Sequence, residues 1–366
     1  MMKMNKTTLL LLLASFSSSA FAEVDAPVGV RPCCAFGYDL KAQLGGIPVP
    51  FFSVGNVVDA DKIGQHRYND GSQSVSGNLL GLGDESNGLI FTQQAGFIDT
   101  AHVRDTADYT FYLYQENLAH LGQEYQVELK QELRVREIHW QPQFQAESLS
   151  QAEKVQRSAE AAAFIAFQLA QWHEIAQWFG LMSVGGFDEL ASAFSPEDLY
   201  SNMLGAQLAK QVILDNPTLD KKTFSKNVDR ALQERLSEFK AQSKKITQQK
   251  IEALDGLWWD SARRLPDKWL LLKRDYHLGY TLQPNYPGSE HTLSLNEYFS
   301  DGSPISDWVS LKLIASDEEK HFSALPDTLK KEQVWTHQNF ASLADFAYQQ
   351  DARHHPKSFS PQVGEE

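Results

Sequence analysis

The segment from Ser150 to Gly180 restricts the fold more than any other. Ser150-Gln151-Ala152-Glu153 is a capping box, in which serine and glutamate satisfy the first free amides of a helix. Gly180 supplies the stop, so one helix is expected from 151 to about 179. Within "AQWHEIAQWFG", Ala162, Ala166 and Ala170 share the face of His173 and Gln177. Small residues let a neighbouring element approach closely, and Trp172 and Trp178 imply that most of the helix is covered. A helix of this kind belongs at the centre of a protein.

His173-Glu174 are the first two letters of H-E-x-x-H, the zinc-protease motif. Gln177 stands where the second histidine should be, so the ordinary form of that site is absent. A buried His-Glu pair needs partners, because unpaired buried polar groups are costly. Two other segments offer them. In "GFIDTAHVRDTADY", Asp99, His102, Asp105 or Thr106, and Tyr109 share a helical face, with Asp99 or Thr100 as N-cap. In "FSPEDLYSN", Ser195 is the expected cap of a second helix, Pro196 takes its first turn, and Glu197 and Asp198 complement its dipole.

Two histidines and a carboxylate with one open position suit a catalytic divalent metal, zinc above others. The expected ligands are His102, His173 and Glu197, with Glu174 as general base on bound water. Asp99, Arg104, Asp105, Asp198 and Asn202 are the supporting or alternative groups, and an aspartate beside His102 could orient its ring. Cys33 and Cys34 are the only cysteines; they are adjacent and read as buried thiols, a vicinal disulfide or a thiol nucleophile. His66 and the other scattered histidines read as surface or core residues. Three functions stay open: a metal-dependent hydrolase, a metal-free acid/base or thiol enzyme, and a non-catalytic binding or structural protein whose polar groups form a buried network.

The remaining sequence sets the context. "MMKMNKTTLLLLLASFSSSAFA" has a basic start, a short apolar run and a small-x-small end, the pattern of a secretory signal peptide over residues 1–22. Cleavage before Glu23 would make the protein periplasmic or secreted, with no transmembrane segment left. Loss of Lys3 and Lys6 with the signal takes the formal net charge from -14 to -16, which argues against nucleic-acid partners. No P-loop or G-x-S-x-G occurs, so no nucleotide cofactor is indicated. A small-molecule, peptide or cell-wall substrate fits an exported chain. Protein partners leave no signal in the sequence.

The fold class expected is α+β, mostly one large domain over 23–350: loops and short strands over 23–98, a helical core over 99–260, mixed structure over 261–350. "YQVELKQELRVREIHW" reads as a strand pair, "KWLLLKRDYHLGYTL" and "WVSLKLIAS" as strands, 219–259 as a long polar helical region, and 351–366 as a disordered tail.

"RPCCAFG", "GFIDTAHVRD", "WHEIAQWFG" and "SAFSPEDLYSN", in this order, resemble a bacterial envelope-protein family defined as a domain of unknown function, family 4056. The resemblance covers roughly residues 30 to 300. It implies that Arg31, Cys33, Cys34, Asp99, His102, Arg104, Asp105, His173, Glu174, Glu197, Asp198 and Asn202 belong to one site. It implies no particular reaction.

Overall fold

The computed structural model describes residues 24–29, 31, 35–44, 46–71, 85–142, 146–182 and 189–355. Cys33, Cys34 and the expected signal segment lie outside the described residues. In chain order the described elements are β1 (Leu40–Leu44), β2 (Ile47–Val54), β3 (Leu89–Thr92), β4 (Gly96–Asp99), α1 (Thr100–Ala119), β5 (Tyr125–Glu132), β6 (Arg134–Trp140), α2 (Gln151–Trp178), α3 (Asp198–Asp215), α4 (Lys221–Glu238), α5 (Lys244–Glu252), β7 (Thr281–Leu282), β8 (Leu293–Ser294), β9 (Val309–Ile314), α6 (Asp327–Lys330), β10 (Val334–Trp335) and α7 (His337–His354). The class is α+β.

Helices α1, α2 and α3 pack against one another and form the centre. The capping box of α2 is complete, and Gly180 takes the left-handed conformation (φ +95°) that ends the helix. Ala162 and Ala166 are fully buried in the core, as a small-residue stripe on a central helix requires. Asp99 is the cap of α1: its side chain accepts from the Ala101 amide at 2.7 Å. Helices α1 and α3 approach backbone to backbone at Gly205, where a Cβ would collide with the Val103 carbonyl. This close crossing brings the first turn of α1 to the first turn of α3.

The largest sheet has the order β10-β9-β6-β5, all antiparallel. In β6, Arg134, Arg136, Ile138 and Trp140 are buried while the residues between them are half-buried. Helix α2 covers this sheet, and Trp172 Nε1 donates to the Glu132 carbonyl at 3.1 Å. Trp172 also packs against Trp335 and Phe340, from the last strand and last helix. Strands β3 and β4 form a hairpin that runs directly into α1.

Four sequence expectations are corrected here. Ser195 does not cap α3: the helix starts at Asp198, and the Ser195 hydroxyl donates to Glu197 instead. The 219–259 region is divided at Phe239–Lys240, where Lys240 adopts φ 58° and Ser243 caps a new helix. "KWLLLKRDYHLGYTL" is mostly irregular, with a 3-10 turn at Lys268–Leu270 and strand only at Thr281–Leu282. Asp351 to His354, expected in a disordered tail, continue α7, and Asp351 is buried and accepts from Trp178, Tyr276 and Lys268. Residues 356–366 lie outside the described residues.

Candidate metal centre

Asp99 closes β4 and caps α1, His102 lies one turn into α1, and Asp198 opens α3. One donor atom from each of these three side chains lies within 4.8 Å of the other two. All three residues are buried, at 3%, 7% and 2% exposure. Ser201, one turn into α3, accepts the Asp99 amide through its hydroxyl at 2.9 Å and ties the two helix starts together. His102 Nε2 sits 3.2 Å from Asp198 Oδ1, yet the two are not aligned as a hydrogen bond and Nε2 has no other hydrogen-bond partner. Two atoms bound to one divalent ion at about 2.1 Å stand roughly 3.0–3.4 Å apart. The spacing is therefore compatible with two ligands of one ion. The buried Asp99-His102-Asp198 group could hold a metal ion.

Two glutamates flank this group. Glu174 Oε2 accepts from the Phe194 amide at 2.6 Å, and Oε1 has no hydrogen-bond partner. Glu197 Oε2 accepts from the Ser195 hydroxyl at 2.7 Å, and again Oε1 has no partner. Burial pushes the Glu197 carboxyl up to about 8, with Asp99 and Glu174 adding like-charge repulsion. Burial also raises Glu174, against the opposing pull of His102 and His173. Asp198 is raised well above the carboxylate range, by burial first and then by Glu197, Glu174 and Asp99. Glu174, Glu197 and Asp198 thus crowd one buried region with Asp99 and are held against ionising. This is the electrostatic condition that a cation relieves. Glu197 also lines a small pocket with Phe97, Tyr200, Trp258 and Tyr286.

His173 faces elsewhere. Its Nδ1 lies 3.3 Å from Glu132 Oε2, at the end of β5, and its Nε2 lies 3.7 Å from Glu189 and 3.0 Å from the Gln177 amide nitrogen. Burial works against the imidazolium, but Glu132 outweighs it, with Glu189 adding to the effect, and His173 is pushed up to about 9. Arg136 bonds the other oxygen of Glu132 at 3.0 Å and reaches the Tyr109 hydroxyl at 3.3 Å. His173 is therefore held between carboxylates that favour its charged form, while the Gln177 amide nitrogen faces its Nε2. It stands one residue from Glu174 but outside the three-donor group.

Arg104 and Asp105 join a third cluster. Arg31 binds Glu85 through Nε and Nη2, and reaches Asp105 at 2.6 Å and Asp108 at 3.0 Å through Nη1. His66 bridges Glu85 at 3.1 Å and Asp108 at 3.0 Å. Arg104 pairs with Asp229 and donates to Asn87. Every charge named here meets an opposite one, and the network fastens Arg31 to α1. Asn202 accepts from the Thr106 hydroxyl at 2.7 Å and joins α3 to α1.

The expected residues thus sort into three neighbouring clusters rather than one. Of the three expected ligands, the structure places His102 in the three-donor group, Glu197 beside it and His173 against Glu132. Asp99 and Asp198, expected as supporting groups, supply the other two donors. Sequence reading missed Glu132, Glu189, His66 and Glu85, which come from distant segments. One signal was available: Arg134 and Arg136 occupy the same strand register as Ile138 and Trp140, and arginine on a buried face announces buried acids.

No curated protein and no solved structure matches this sequence. A family model does match, over residues 21–287. That span contains all three clusters, and the chain belongs to the family described as "Protein of unknown function (DUF4056)".

Proposed function

We propose that this protein is a metal-dependent hydrolase that works outside the cytoplasm on a peptide, cell-wall or lipid substrate. The observation that carries the reading is the Asp99-His102-Asp198 group, three converging donors in which the buried His102 Nε2 has no hydrogen-bond partner. One imidazole among carboxylates suits a borderline or hard divalent ion, Zn²⁺ or Mn²⁺. Such an ion supplies Lewis acidity and lowers the pKa of water. The protein's own groups do the rest. Asp99 and Asp198 provide negative charge, His102 fixes direction, and the free Oε1 of Glu174 accepts the proton of an attacking water. His102 and His173 both favour the ionised form of that base, against its burial. Export rests on the composition of residues 1–22 and on nothing in the described structure; N-terminal sequencing of the mature chain tests it, with Glu23 expected as the first residue.

The test of the centre is metal content. Untagged protein, stripped and then equilibrated with Zn²⁺ or Mn²⁺, should retain the ion through gel filtration and unfold at higher temperature with it. Asp198→Asn should lose both effects while remaining folded. A wild-type protein that retains neither ion would exclude the reading.

A further inference from the structure

Glu197 lines a recess that the metal reading leaves unused. Four rings wall it, Phe97, Tyr200, Trp258 and Tyr286, with Pro196 beside the glutamate. Phe97, Tyr200 and Trp258 are buried, whereas Asn285 and Tyr286 are half-buried, so the mouth lies at the loop that carries them. That loop is pinned across the recess: the Asn285 side-chain amide donates to the Pro196 carbonyl at 2.9 Å and to Asp275 at 2.6 Å. The space inside is that of about one water molecule.

Glu197 is 3% exposed; its Oε2 accepts from Ser195, and its Oε1 has no hydrogen-bond partner. A buried carboxylate oxygen calls for a donor, and a charged donor suits it best. Water needs two to four polar partners, and ring faces supply few. An ammonium group is the size of a water molecule and is attracted both by a carboxylate and by aromatic faces. The chain's own ammonium groups near these rings are engaged elsewhere, and neither lines the recess. Lys273 stands 4.4 Å from the Trp258 ring centroid and donates to the Asn285 carbonyl at 3.4 Å, and Lys250 donates to the Tyr286 hydroxyl at 3.1 Å.

The walls come from the two segments that carry the three-donor group. Phe97 precedes Asp99 by two residues on the same face of β4, Glu197 immediately precedes Asp198, and Tyr200 follows it in the first turn of α3. Neighbouring residues stand about 3.8 Å apart, and an α-ammonium lies about 2.5 Å from the first carbonyl carbon of its own peptide. An amino terminus held at Glu197 therefore brings the first peptide carbonyl toward Asp198. A sugar ring or a trimethylammonium headgroup is too large for the recess.

We propose that this recess binds the α-ammonium group of a peptide substrate, with Glu197 as its counter-ion. The proposal narrows the hydrolase reading above to peptides with a free amino terminus, and rests on that reading for the reaction though not for the binding.

The experiment measures binding in the full chain, once stripped of metal and once loaded with Zn²⁺. Trialanine and N-acetyl-trialanine are titrated while the indole N–H resonance of Trp258 is followed by nuclear magnetic resonance, assigned by its loss in Trp258→Phe. Trialanine should shift this resonance, and acetylation should weaken binding by at least about tenfold, the scale of one hydrogen bond to a charged group. Glu197→Gln should weaken trialanine binding similarly and leave N-acetyl-trialanine unaffected. No shift in either metal state, or equal binding of the two peptides, overturns the proposal. Undiminished binding to a folded Glu197→Gln protein overturns the assignment to Glu197, and tighter binding of O-phosphoethanolamine than of trialanine overturns the peptide. The acetylation comparison uses wild-type protein, so a misfolded variant cannot rescue the idea. Zn²⁺ retention is read separately: retention without preference for the free amine sinks the recess alone, and preference without retention sinks the metal reading alone.

Discussion

His66 is fully buried, and its two ring nitrogens meet Glu85 and Asp108. Burial works against its charge, but the two carboxylates outweigh it and raise its pKa above the ordinary 6.5. Such a group stabilises the fold fully below the unfolded pKa, and that contribution is lost as pH rises through the folded value. His66→Gln should therefore cost about 1.5–3 kcal/mol in urea denaturation at pH 6, the scale of hydrogen bonds to charged groups. The gap to wild type should shrink on the alkaline side. A gap that stays constant with pH would show that His66 is neutral in the fold. The sequence could not reveal this residue's role, because its partners lie 19 and 42 positions away on different elements. Asp99 and His102 were legible, because three residues along one helix is a spacing that any helix turns into adjacency. Glu197 and Asp198 were legible as a pair but not in their separate parts. Which of them faces His102 depends on where α3 starts, and that is two residues later than the Ser-Pro signal suggests.

Among elements, the long helices and the β5–β6 pair could be read directly, since caps and alternation are local. The division of the 219–259 region could not. Its break has no glycine: Lys240 takes the left-handed conformation, and the Ala241 amide reaches back to the Leu236 carbonyl at 2.9 Å. Lys240→Gly should relieve this strain and raise stability by about 0.5–1 kcal/mol, seen as a higher denaturation midpoint. A lower midpoint would mean that the lysine side chain does something the backbone does not show. The α1–α3 crossing makes the opposite prediction. Gly205→Ala places a methyl against the Val103 carbonyl and should cost about 1–3 kcal/mol. It should also weaken metal retention, although Gly205 is not among the donors, because the crossing sets the distance between His102 and Asp198. Normal retention in a destabilised Gly205→Ala protein would disconnect the crossing from the site.

At the scale of the whole molecule, the family match ends at residue 287, but the core does not. Strand β9 lies between β6 and β10, and Trp335 and Phe340 pack on the central helix. A chain ending at 287 leaves β6 with one partner and uncovers α2. It should lack near-ultraviolet circular dichroism and be digested rapidly by protease. A well-folded fragment would show that the last part of the chain is dispensable. The α+β class and a central helical core were legible from the pattern of elements, whereas the contribution of the C-terminal strands to the sheet is non-local and was not. The burial of the donors bears on how the proposed ion would come and go. Asp99, His102 and Asp198 are exposed by only 3%, 7% and 2%, so an ion held there would leave only when the structure around it opens. Removal by a chelator should then be slow and should speed up in mild denaturant, whereas loss that is fast and insensitive to denaturant would place the ion at an exposed site.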